Sequence, residues 1–299
     1  MALTLKRKES VSKGLRRLAQ RQIRASQKAL KNCERLDAVH EVRKGVKRLR
    51  ALLRLGRAAL RGSDYQQCMG DLRRLARQLS AARDAQVKLN ALRALEARFH
   101  DGKSRRQFGQ FEEMLKADCR KEQAGLEQEG APGKTGRSLE ALASGYSSLR
   151  PKRSGWKAIA PGVKRTYRNG RRRYLEARRK GMAEDFHEWR KRVKDLSYQA
   201  EMLRKVCPED MVAIEKELKR LGETLGDDHD LVILTECVAM NRFTGRDEKA
   251  AHALVALADS RQRRLRSRAL AIGGRLYAEK PSLFCKRLNR YWKEWRKGS

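Results

Sequence analysis

Apolar residues recur along this chain at intervals of three and four, with charged residues between them. That is the period of a helix with one buried face. Over 36–61 the stripe is Val39, Val42, Val46, Leu49, Leu52 and Leu53. Over 103–127 it runs through Phe108, Phe111 and Leu115. β-branched runs of period two are absent; the nearest, Leu231-Val232-Ile233-Leu234, lies inside a longer helical pattern. The pattern predicts helices over 8–31, 36–61, 64–99 (interrupted near Ser80) and 103–127. It predicts a second set over 163–181, 184–206, 210–240 (with a break near Gly226), 246–274 and 281–296. Between the sets, 129–162 holds Gly130, Pro132, Gly133, Gly136, Gly145, Pro151, Gly155, Pro161 and Gly162. Such punctuation reads as a loop or linker, with one short helix near 139–149. The expectation is an all-α chain: a first helical bundle over 1–128, a linker over 129–162 and a second bundle over 163–299.

The two sets are related. With His40 set against His187 (187 − 40 = 147), His40-Glu41-Val42-Arg43-Lys44-Gly45-Val46-Lys47-Arg48-Leu49 faces His187-Glu188-Trp189-Arg190-Lys191-Arg192-Val193-Lys194-Asp195-Leu196. His, Glu, Arg, Lys, Val, Lys and Leu coincide. A second block, Asp71-Leu72-Arg73-Arg74-Leu75, faces Glu217-Leu218-Lys219-Arg220-Leu221, with Leu79 against Leu225 and Asp84 against Asp230. Lys13 and Arg16 match Arg165 and Arg168 more weakly. A period this long exceeds that of solenoid units, so the pattern is a tandem duplication of a whole bundle.

The duplicated helix carries the candidate chemistry. His40, Arg43, Lys44, Lys47, Arg50 and Arg54 share one face, opposite the apolar stripe. His187, Arg190, Lys191 and Lys194 repeat it, against Phe186, Trp189, Val193 and Leu196. Like charges at these spacings repel by roughly a few tenths of a kcal/mol per pair, a cost that a bound polyanion relieves. One turn rises about 5.4 Å, so successive cations can meet successive phosphates of a linear chain. The bland alternative is a solvated face, and each histidine has a structural alternative as a cap or inter-bundle hydrogen-bond partner.

Charge strengthens the anion reading. The 299 residues hold 72 Lys and Arg against 36 Asp and Glu, a formal charge of +36. That opposes compaction and favours anionic partners. With 40% hydrophobic residues spread throughout, the chain is not a disordered tail. No apolar run is long enough to span a membrane, and the start, Met1-Ala2-Leu3-Thr4-Leu5-Lys6-Arg7-Lys8, turns charged too soon for a secretory signal. The six cysteines are widely spaced and read as free, mostly buried thiols of a reducing cytoplasm.

Catalytic and cofactor motifs are missing: no phosphate-binding glycine loop, dinucleotide fingerprint, zinc-protease helix or serine elbow. Asp227-Asp228-His229-Asp230 suggests a metal, but its first copy, Ala81-Ala82-Arg83-Asp84, lacks three of the four ligands, so no metal is expected. Asp84 and Asp230 read as caps or as ion-pair partners of the basic residues. Aromatics are 6% and, Tyr198 aside, absent from the basic faces, unlike a single-strand platform.

Two helices opening His-x-x-Arg-Lys-x-x-Lys, each followed by Leu-x-x-x-x-Asp, resemble the CHAD (conserved histidine α-helical domain) family over about 8–295. The resemblance implies two four-helix bundles related by pseudo-two-fold symmetry, with the basic helices facing a shared groove or pore. It implies binding of inorganic polyphosphate there and targeting to polyphosphate granules. The implied binding residues are His40, Arg43, Lys44, Lys47, Arg50, Arg54, His187, Arg190, Lys191 and Lys194, with Lys13, Arg16, Arg165 and Arg168 in support. Asp195 and Ser197 depart from the basic residues usual there, which implies fewer phosphates on the second copy. Some members carry a triphosphate-tunnel catalytic domain, for which this chain has no room. The expectation is therefore a cytoplasmic, non-enzymatic, cofactor-free binder of polyphosphate or another phosphate polyanion, without membrane contact. Two alternatives stand: a nucleic-acid protein that grips the phosphate backbone, and a phosphotransferase that uses His40 or His187.

Overall fold

The computed structural model describes residues 3–32, 35–79, 81–97, 102–128, 131–148, 153–241 and 245–298. Over these the chain is all-α, with no strand. In order the helices are α1 (Val11–Asn32), α2 (Arg35–Gly56), α3 (Gly62–Gln78), α4 (Ala81–Glu96), α5 (Gly102–Gln128), α6 (Ala131–Ser148), α7 (Gly155–Lys180), α8 (Ala183–Leu203), α9 (Pro208–Met240), α10 (Arg246–Leu276) and α11 (Pro281–Lys297). Among the described helices none is long and apolar enough to cross a membrane.

The sequence stripes are the buried faces. α2 buries Val42, Val46, Leu49 and Leu53, and α8 buries Phe186, Trp189, Val193 and Leu196. These meet in one core that also takes in Leu18 and Ile23 of α1, Leu72 of α3, Tyr146 of α6, Ile159 and Tyr167 of α7, and Leu218 of α9. A second core joins Leu92 of α4 and Phe108, Phe111 and Leu115 of α5 to Leu234 of α9 and Leu254 of α10. Helices from both halves of the chain share each core, so burial ties the halves together.

Two expectations change. The segment 129–162 is helical over most of its described length: α6 is 18 residues long, and α7 begins at Gly155. Leu139, Leu142 and Tyr146 give α6 a buried face, and Trp156 and Ile159 pack the start of α7 into the main core. Apolar spacing therefore outweighs the glycines. Gly162 has a positive use there: a Cβ on it would strike the carbonyl of Leu55, so glycine lets α7 ride directly on the end of α2. The break near Gly226 is absent, and α9 runs unbroken through 33 residues. Its glycines are accommodated because side chains of α8 lie over them. In the first half the interruption is where the pattern put it, since α3 ends at Gln78 and α4 begins at Ala81; Ser80 lies outside the described residues.

Five described cysteines, Cys68, Cys119, Cys207, Cys237 and Cys285, are free thiols. Only Cys68 is buried and the other four are half-buried, so the expectation of mostly buried thiols is too strong. Cys33 lies outside the described residues.

Candidate functional site

Because α2 and α8 turn their apolar stripes inward, their basic faces are left to form a wall. Two hydrogen bonds set the register of α2 within it. Gln199 Nε2 on α8 donates to the carbonyl of Ala51 at 3.1 Å, and Tyr146 Oη on α6 donates to that of Leu49, also at 3.1 Å. The wall encloses a cleft of about 450 Å³. α2 supplies Val39, His40, Arg43, Lys44 and Lys47; α8 supplies Arg190, Lys194 and Tyr198. Gln86, Val87 and Asn90 of α4 and Asp230 of α9 complete it. Six expected binding residues, from two helices more than 140 positions apart in sequence, therefore face one cavity.

Each cation is held differently. Arg43 Nη1 donates to the carbonyls of Leu79 at 2.7 Å and Ala76 at 3.3 Å, groups that end α3. A cation at a helix C-terminus satisfies orphan carbonyls and meets the negative end of the dipole. Lys44 is braced by Glu41 one turn back, at 3.1 Å. Arg190 and Lys194 cross α9 where it has no side chains. A Cβ on Gly226 would lie 3.6 Å from Arg190 Nη2, and one on Gly222 would lie 3.0 Å from Lys194 Nζ. Burial lowers the Lys194 pKa, and the charge of Arg190 lowers it further, against the pull of Glu223 and Asp230. Lys194 is a cation held short of anionic company.

The remaining candidates lie elsewhere. His187 packs against His229 of α9, with ring centroids 3.9 Å apart and the rings tilted by 39°, and does not line the cleft. Lys191 is exposed and paired with Glu188 on its own helix. Lys13 and Arg16 of α1 are not at the cleft; Arg16 edges a small apolar crevice between Leu15, Leu52 and Leu60. The Asp227–Asp230 run is dispersed around α9. Asp227 is exposed, Asp228 is buried on Arg266 of α10 at 2.8 Å, and Asp230 enters the cleft. Among the described residues no three His, Cys, Asp or Glu side chains converge as metal ligands would.

Arg54, Arg165 and Arg168 meet in a second cavity of about 320 Å³, where α2, α7 and α8 come together. Arg57, Tyr65, Thr166, Asn169, Arg192 and Asp195 complete it. Arg50 lies on α2 between the two cavities and lines neither. Burial lowers its pKa, as do Arg54, Arg73 and Arg192, while Asp195 opposes them.

Sequence reasoning missed Arg57, Arg192, Gln86 and Asn90. The repeat could not flag Arg192, because its partner is Gly45, where Ser26 and Gln22 of α1 press against the backbone. Arg57 follows the last helical turn of α2, and the α4 residues reach the site only through tertiary packing.

The CHAD domain family model matches residues 14–239, most of the chain. The chain belongs to the CHAD family. The crystal structure of the CHAD domain from the plant Ricinus communis is similar, with a TM-score of 0.65 at 19% identity, covering 93% of this chain and 96% of that one. So is PptA from Streptomyces chartreusis, with a TM-score of 0.63 at 15% identity, covering 91% of this chain and 100% of that one. No match is found among curated proteins. The residues lining both cavities fall within the matched CHAD segment, whereas α10 and α11 lie wholly beyond it. From outside that segment Arg266 of α10 still braces it on Asp228, and Tyr277, just after α10, packs on Tyr167, Tyr174 and Trp189.

Proposed function

We propose that this CHAD domain binds inorganic polyphosphate, without catalysis, along the cleft between α2 and α8. The observation that carries the reading is the convergence of Arg43, Lys44, Lys47, Arg190 and Lys194 on one cavity whose lining holds a single carboxylate, Asp230. Guanidinium and ammonium groups give charge-assisted hydrogen bonds to phosphate oxygens, and His40 at the mouth adds a donor. Family membership supports the same ligand class. Tyr198 is the one aromatic in the lining, and bases need stacking surfaces, so a bare phosphate chain suits the cleft better than nucleic acid does. In cells that store polyphosphate, the protein is expected in the cytoplasm, on the granules.

Competition tests this. Labelled long-chain polyphosphate should be displaced by unlabelled polyphosphate and left bound by duplex DNA at equal phosphate concentration. Displacement by DNA would overturn the assignment. Incubation with polyphosphate and magnesium should release no phosphate; steady release, lost in His40→Ala, would establish an enzyme instead.

A further inference from the structure

The arginine recess differs from the cleft in one respect: it already contains an anion. Asp195, 6% exposed, accepts from Arg54 Nη1 at 2.7 Å and lies 3.1 Å from Arg192 Nη1. The charge of Arg50 acts on it as well. Its Oδ1 takes the Arg54 hydrogen bond, whereas its Oδ2, which pairs with Arg192 by charge, is buried without a hydrogen bond. So is Nε of Arg50. Five arginines line the recess against this one carboxylate. Arg165 and Arg168 are exposed at its rim and form no ion pair with any described residue. A phosphate group offers more acceptor oxygens than a carboxylate and can meet several guanidiniums at once.

We propose that Asp195 is a built-in competitor: it keeps the recess closed as a second oligophosphate site, which opens only when phosphate displaces the carboxylate from Arg54. This rests on the cleft being the first phosphate site. No residue lines both cavities, and Lys47 and Arg54 stand about 10 Å apart along α2, so the two can fill separately. The position is peculiar to the second copy of the repeat, where Asp195 stands opposite Arg48 of the first.

The test counts tripolyphosphate sites by calorimetry on the full chain. The unmodified protein should show one strong site and a second at least about tenfold weaker, because filling it breaks a buried, charged hydrogen bond. Asp195→Asn, which keeps the shape and removes the charge, should bring the second site to within about threefold of the first. Arg165→Glu with Arg168→Glu, both at exposed positions, should abolish the weaker site of the unmodified protein and spare the stronger. A second site that stays weak or absent in Asp195→Asn overturns the proposal, as do two equal sites in the unmodified protein. If Asp195→Asn does not fold, the rim variant decides, and the proposal falls if the unmodified protein has no weaker site for it to remove. Loss of all polyphosphate binding in the unmodified protein would remove the cleft assignment itself. One tripolyphosphate site, unchanged in Asp195→Asn, would remove only the role of Asp195.

Discussion

Lys194 of α8 lies across Gly222 of α9, with its ammonium 3.0 Å from where a Cβ would stand. The missing side chain makes room for a cation that is then half-buried and whose charge is disfavoured there. Gly222→Ala should separate fold from function. Alanine favours a helix interior by about 1 kcal/mol, and the flexible end of Lys194 can move aside. Thermal unfolding should therefore show unchanged or higher stability, while polyphosphate affinity changes as Lys194 is displaced. An unaltered affinity would place Lys194 outside the contact.

The cleft and the outer face of α8 should respond differently to charge reversal. Lys44→Glu with Lys47→Glu should weaken polyphosphate binding by about 100-fold or more, because two contacts become repulsions. Lys191→Glu, outside the cleft, should change it less than about threefold. Equal losses from both would show that overall charge, and not the cavity, does the binding.

Salt gives a count of contacts. With the cations of the cleft engaged, the logarithm of affinity should fall against the logarithm of salt with a slope of about −3 to −4, and each Lys→Gln change should reduce that slope by about 0.7. Titrations at several ionic strengths would read it directly. Lys47→Gln leaving the slope unchanged would exclude Lys47 from the contact.

Arg43 has two duties, and its loss should show both. Arg43→Gln removes the donor to the carbonyls of Ala76 and Leu79. Leaving such groups short of a partner costs about 1–3 kcal/mol, so the melting temperature should drop along with the affinity. Lys47→Gln removes no bond to these carbonyls and should leave the α3 contact intact while it lowers affinity. A melting temperature insensitive to Arg43→Gln would make the α3 contact incidental.

Lys194 also predicts a pH effect. Its folded pKa lies below its ordinary value. Between the folded and unfolded values the unfolded chain holds the extra proton, so this group makes the fold more stable as pH rises through that interval. Bound phosphate favours the charged form and should draw a proton back. Calorimetry at alkaline pH in buffers of different ionisation enthalpy should therefore detect proton uptake on binding, and Lys194→Gln should lose part of it. Uptake identical in the variant would assign it to other groups.

How much of this was legible beforehand depends on the residue. The stripes of α2 and α8 are local, since a period of three and four reports which face is buried wherever the helix ends up. His40, Arg43, Lys44 and Lys47 could thus be placed on one face from spacing alone, and duplication pointed to Arg190 and Lys194. Arg192 was hidden because its first-copy partner is a glycine kept small by Ser26 and Gln22. Gly226 misled because a helix-breaking residue is harmless where another helix covers it.

The sequence by itself determined an all-α chain, a duplicated basic helix and an excess of positive charge, because helical period and composition need no partner. Only the tertiary structure decided which cations share a cavity. Lys191 and Lys194 are neighbours on α8, yet one faces outward and the other faces α2 and α9. Packing at Gly162, Gly222 and Gly226 sets those distances. It also puts Asp195 beside Arg54, although they lie far apart in the chain, so a row that reads as continuous along α2 becomes an open cleft and a recess already holding its own anion.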